Sequence, residues 1–160
     1  MNKTKAKEII LEQKKEAENI FKDKTIEREV EKEAIKSLKD NLIKVIIGVR
    51  RSGKSILAHR LLQNNNYGYI NFDDERLLGI KTSDLNDLLE ILNEINPDSR
   101  YLLFDEIQNV AGWELFVNRL KRNGYNIIVT GSNSKLLSGE LATHLTGRHI
   151  EIELYPFSFK

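Results

Sequence analysis

The chain has 160 residues, the length of one ordinary domain. Hydrophobic residues at 40% and charged residues at 31% suit a globular fold with a heavily solvated surface, and a net charge of +1 supplies no global field toward nucleic acid or a membrane. With no cysteine there are no disulfides, thiolate nucleophiles or zinc–sulfur sites, and His59, His144 and His149 are too scattered for metal-ligand spacing.

Residues 1–40 alternate Lys and Glu and carry neither Gly nor Pro. Apolar side chains recur every three or four positions, at Ile9/Ile10, Ala17 and Ile20/Phe21, then at Ile26, Val30, Ala34 and Leu38. That spacing predicts two amphipathic helices on either side of "KDKT", a charged extension laying a thin apolar face on the domain formed by residues 41–160. Because Lys and Glu cancel along both segments, packing is favoured over a partner-binding or nucleic-acid-binding arm. The run Ile9-Ile10-Leu11 is far shorter than the roughly 7 to 15 residues of a signal core or the about 20 of a membrane helix, so a cytoplasmic location is expected.

From Leu42 onward, short apolar runs alternate with helical patterns. "KVIIGV", "YGYINF", "RYLLFDE", "YNIIVTGS" and "HIEIEL" read as five strands. Between them, "KSILAHRLLQ" reads as a helix with Ile56, Leu57 and Leu61 inward, and "SDLNDLLEILNEI" as a helix with Ser83 as N-cap. "WELFVNRLKR" is a third helix, with Trp113, Phe116 and Leu120 as its packing face, and "SKLLSGELATHL" a shorter fourth. Strands alternating with helices indicate parallel pairing through crossovers, hence an α/β layered domain.

Gly48-Val49-Arg50-Arg51-Ser52-Gly53-Lys54-Ser55 fits G-x-x-x-x-G-K-[ST] and stands between a predicted strand and a predicted helix. Glycines there let the backbone curl until successive N–H groups face phosphate oxygens, and the start of the helix adds its positive dipole end. Lys54 is placed to reach the β- and γ-phosphates and Ser55 to put a hydroxyl on Mg²⁺. Of Arg50 and Arg51, at most one faces phosphate; Ser52 and Ile56 complete the candidate turn.

A nucleoside triphosphatase also needs an acid for the metal. "YLLFDE" buries a strand and delivers Asp105 and Glu106 at its C-terminal end, where ligand sites of parallel sheets lie. Asp105 is the candidate Mg²⁺ partner, directly or through water, and Glu106 the general base that polarises the attacking water. The next strand ends in Thr130, Gly131, Ser132 and Asn133. Asn133 is the first choice, and Ser132 the second, to hold the water or sense the γ-phosphate; Asn133 or Ser134 equally suits the N-cap of the following helix.

"GVRRSGKS", "INFDDERL", "LLFDEIQNVAGWELFVNRL" and "TGSNSKLLSGELATHLTGRHIEIELYPFSF" together resemble the AAA-type ATPases widespread in archaea and bacteria. The resemblance is dense from Leu42 to Lys160 and loose before it. It implies a P-loop three-layer sandwich with a five-stranded parallel sheet of order 5-1-4-3-2, ATP and Mg²⁺ as ligands, and continuation past "YPFSF" into a helical lid and a further domain. It draws attention to Arg148, in "LTGRH", as an arginine finger acting within the chain or on a neighbour, with a surface salt bridge as the alternative. It also makes self-association, a protein partner or nucleic acid expectations by analogy alone.

Three other patterns weigh less. "LLSGELA" lacks the second glycine of the transporter signature LSGGQ and follows the acidic strand where that signature precedes it. Asp73, Asp74 and Glu75 have no loop glycine for a calcium site. The guanine-reading N-K-x-D is absent from the sequence, which disfavours a GTPase. ATP hydrolysis is the leading reading, a nucleotide-gated switch or scaffold with little turnover the second, and a small-molecule kinase the third.

Overall fold

Five apolar runs form one parallel sheet: β1 (Ile43–Gly48), β2 (Tyr67–Asn71), β3 (Tyr101–Asp105), β4 (Asn126–Gly131) and β5 (His149–Leu154). Their spatial order is β2-β3-β4-β1-β5, the expected 5-1-4-3-2 read from the other edge. The computed structural model describes residues 1–22, 29–132, 136, 145 and 147–156.

Parallel neighbours need long crossovers, so helices cover both faces and the central strands are buried along nearly their whole length, Lys44 of β1 and Thr130 of β4 included. Along β1, Ile43, Val45 and Ile47 face one core and Ile46 the other, as a period of two requires. Against the first face pack α1 (Lys3–Glu18), α4 (Leu85–Ile95) and α5 (Trp113–Arg122). Against the second pack α2 (Glu29–Ser37) and α3 (Lys54–Leu62). Trp113, Phe116 and Leu120 are all buried in the first core.

Ala6, Ile10, Gln13 and Ala17 form the buried stripe of α1, at the three-to-four spacing of the sequence. Its lysines reach acids of α4: Lys3 Nζ lies 2.9 Å from Glu90 and 3.3 Å from Asp87, and Lys7 Nζ 3.1 Å from Glu94. Such exposed pairs contribute at most about 1 kcal/mol each, so the apolar stripe carries the docking. Gln13 finishes the open edge of β2. Its Oε1 accepts from Asn71 N at 2.9 Å and its Nε2 donates to Asn71 O at 3.0 Å, so one side-chain amide stands in for a further strand. On the other face, Glu31 of α2 meets Arg60 Nε at 3.0 Å, and Ala34 is buried.

Two sequence expectations are corrected. Ile56 is not inward but 41% exposed; Leu57, Ala58, Leu61 and Leu62 take the core face of α3, which leaves Ile56 toward the turn that precedes the helix. Ser83 is not an N-cap. Thr82–Asp84 form a 3₁₀ turn, Asp84 Oδ2 accepts from Lys81 N at 2.9 Å, and α4 starts only at Leu85. Ile26, the side chain of Val30 and most of the helix expected near Lys135 lie outside the described residues; Leu136 and Leu145 are helical and buried.

Candidate functional site

The chain turns sharply where β1 meets α3, and two glycines permit it for different reasons. A Cβ on Gly48 would stand 2.5 Å from Ser52 Oγ and 2.8 Å from the Leu154 carbonyl, so the first glycine is required by close approach. Gly53 sits at φ 89°, the left-handed region, where it ends the turn and opens α3. Arg51, also left-handed at φ 63°, and Arg50 are both exposed, while Ser52 is fully buried. Inside the turn, buried Lys54 donates to the carbonyls of Gly48 at 3.0 Å and Val49 at 3.2 Å.

Across the sheet's carboxyl rim stands the acid pair. Asp105, 3% exposed, is held by hydroxyls from three elements. Ser55 Oγ of α3 donates to its Oδ2 at 2.6 Å, Tyr69 of β2 reaches the same oxygen at 3.4 Å, and Thr130 of β4 donates to Oδ1. Burial, followed by the neighbouring carboxylate, pushes the Tyr69 phenol well above its ordinary range, so it stays a proton donor. Thr130 Oγ1 also accepts from Glu106 N at 3.1 Å. Glu106 itself adopts a left-handed conformation, φ 54°, which for a non-glycine residue stores strain of about 1–3 kcal/mol. This bend ends β3 and brings Glu106 Oε1 to 3.8 Å from Lys54 Nζ, while Gln108 Nε2 donates to Oε2 at 2.5 Å.

Between turn and acid lies a cleft of about 490 Å³, lined by Arg50, Arg51, Lys54 and Ser55 on one side and Glu106 on the other. Its walls present three cations against one carboxylate, with Asp105 behind Ser55. Ser52 Oγ is buried without a hydrogen-bond partner among the described residues. This donor set fits a polyphosphate. Ser55 Oγ and Asp105 Oδ2, one hydroxyl and one carboxylate at 2.6 Å, fit Mg²⁺, which takes few protein oxygens and completes its shell from phosphates and water.

Lys54, Ser55, Asp105 and Glu106 are therefore brought together, with Gly48 and Gly53 shaping the turn. Arg148 is not among them. Its carbonyl accepts from Ile43 N at 2.9 Å, at the start of β1, about 17 Å along the strand from Gly48 and beyond the reach of an arginine side chain. It lines a separate cleft with Asn118 and Arg122, apart from the phosphate turn. Asn133 lies outside the described residues; Ser132 is half-buried directly after β4. Sequence reasoning passed over three contributors. Thr130 was legible as a hydroxyl ending an apolar strand, and Gln108 as an amide two residues past the acid. Tyr69 carried no signal, because its strand pairs with β3 only in three dimensions.

A phosphate turn after a central strand, with the acid strand two places along a parallel sheet, defines a P-loop α/β protein. A family model described as an AAA domain matches residues 40–160, and the chain belongs to that family. An uncharacterized protein of Methanocaldococcus jannaschii is 46% identical over 142 residues, covering 87% of this chain and 31% of its own length. One of Haemophilus influenzae is 44% identical over 132 residues, covering 75% of this chain and 32% of its own. The chain thus spans about a third of the length of the curated relatives it matches. Among solved structures, the fold is similar to PCH-2 of C. elegans, with TM-score 0.56 and 14% identity over 89% of this chain and 47% of that one. It is similar also to a Walker-type ATPase of Pyrococcus abyssi, with TM-score 0.53 and 18% identity over 84% of this chain and 55% of that one.

Proposed function

We propose that the chain is the ATPase core of a cytoplasmic AAA-type protein, binding ATP with Mg²⁺ and hydrolysing it to ADP and phosphate in the service of a partner or substrate. The observation that carries this reading is the 2.6 Å bond from Ser55 of the phosphate turn to Asp105 of the acid strand, which couples the two halves of a metal–nucleotide site.

In this reading the Lys54 amine exchanges the Gly48 and Val49 carbonyls for β- and γ-phosphate oxygens, and one of Arg50 and Arg51 adds charge at the mouth. Ser55 and Asp105 hold Mg²⁺, which when bound neutralises charge on the phosphates. Glu106 leaves Lys54, orients a water and takes its proton as the water oxygen bonds to the γ-phosphorus. The bond from that phosphorus to the β–γ bridging oxygen breaks, and its electron pair leaves with ADP. Ser132 or Asn133 contacts the water or the γ-phosphate, and Arg148, in a cleft apart from this turn, acts on the site of a neighbouring copy.

Isothermal calorimetry and phosphate release test these roles together. Lys54→Ala loses ATP binding; Glu106→Gln keeps it and releases phosphate at least about a hundredfold more slowly, the scale of general-base catalysis. Equal phosphate release by Glu106→Gln and the unaltered chain contradicts the assignment. One feature favours the second reading, a nucleotide-gated switch: Glu106 is tethered by Gln108 beside Lys54 instead of facing the cleft unpaired. An oligomer or partner affinity that shifts with ATP at unmeasurable turnover would select it.

A further inference from the structure

We infer that Tyr69 is a positioning residue for the metal-holding carboxylate, fixing Asp105 from the neighbouring strand. The inference rests on the ATP–Mg²⁺ reading of the site. Asn71 pairs with Asp105 across β2 and β3, so Tyr69, two residues earlier on the same face of β2, stands diagonally behind the acid. Its ring is fixed from the α3 side by His59, whose centroid lies 4.4 Å away at 73°, an edge-on contact. His59 in turn binds the Tyr67 hydroxyl through Nδ1 at 2.8 Å. The two tyrosines of β2 are thereby assigned different partners: Tyr67 serves the packing of α3, and Tyr69 sends its hydroxyl to Asp105 Oδ2 at 3.4 Å.

The phenol hydroxyl of half-buried Tyr69 takes as its acceptor the oxygen that Ser55 also holds. The bond is long. Its geometry nonetheless suits a supporting role, since Ser55 must offer its lone pairs to a cation while Tyr69 offers only a proton. With Thr130 on Oδ1, Asp105 then has hydroxyl donors on both oxygens and little freedom to rotate. Hydrogen bonds of this kind to a metal-binding carboxylate typically change metal affinity by about 10- to 100-fold, and the long distance places Tyr69 at the lower end.

The test is calorimetric titration of the imido analogue of ATP, in EDTA and in Mg²⁺, into the unaltered chain, Tyr69→Phe and Tyr67→Phe. The gain in affinity on adding Mg²⁺ should fall about tenfold in Tyr69→Phe, with affinity in EDTA and the thermal midpoint of the nucleotide-free chain unchanged. Tyr67→Phe should keep the full gain. An unchanged Mg²⁺ gain in Tyr69→Phe, an equal loss in EDTA, or the same loss in Tyr67→Phe overturns the inference. If the unaltered chain binds no analogue under either condition, the ATPase reading falls with it; if it binds normally and only the Tyr69→Phe result fails, that reading stands.

Discussion

Asp105 gathers hydroxyls from α3, β2 and β4 onto one buried carboxylate, and that convergence makes Thr130 the most informative side chain to change. Its Oγ1 serves Asp105 Oδ1 and the Glu106 N–H at once, so Thr130→Val takes the hydroxyl from both in nearly the same volume. The expected outcome is a loss of about 1–3 kcal/mol in urea unfolding and at least tenfold slower phosphate release, with Thr130→Ser close to the unaltered chain. Gly48 tests the turn by bulk alone. A methyl there meets the Leu154 carbonyl, which is backbone and cannot swing away. Gly48→Ala should therefore cost about 1–3 kcal/mol of stability and weaken ATP binding, measured by urea unfolding and calorimetry. Lys54, Ser55, Asp105 and Glu106 were legible in the sequence because the turn motif and the strand-end acids are local patterns. Tyr69 was not, since its contact is created by strand pairing, and the place of Arg148, away from the turn, was not legible because a motif carries no distance.

At the scale of elements, α1 joins the edge of the sheet through Gln13, a polar residue in an otherwise apolar buried stripe. Gln13→Ala removes both bonds to Asn71 and should lower stability by about 1–2 kcal/mol, with faster hydrogen exchange at the Asn71 amide. Exchange at Asn71 unchanged in that variant would show that α1 does not guard the edge. The strands were legible as apolar runs and the stripe of α1 as periodicity. The start of α4 was not, because Ser83 has the right chemistry for a cap but sits inside a 3₁₀ turn that Asp84 closes onto Lys81. Ile56 misled for a related reason: an apolar side chain in the first turn of α3 belongs to the loop as much as to the core.

For the whole molecule, His59 is a source of acid sensitivity. Burial lowers its pKa from 6.5 to about 4, so the unfolded chain binds the proton first as pH falls. Stability is full above about pH 6.5 and declines through the window down to pH 4, by about 3 kcal/mol if His59 acts alone. Urea unfolding at pH 7 and pH 4.5 should show that loss, and His59→Phe should show much less of it. Among the described residues no helix is long and apolar enough to cross a membrane. The sheet order was legible through the resemblance to AAA-type ATPases, and the family match over residues 40–160 agrees with it.

Calorimetric titration of ATP·Mg²⁺ into the unaltered chain and into Lys54→Ala tests the central claim most directly. The account predicts saturable binding at one site per chain that vanishes with the lysine amine. No heat from the unaltered chain, or equal binding by Lys54→Ala, would contradict it.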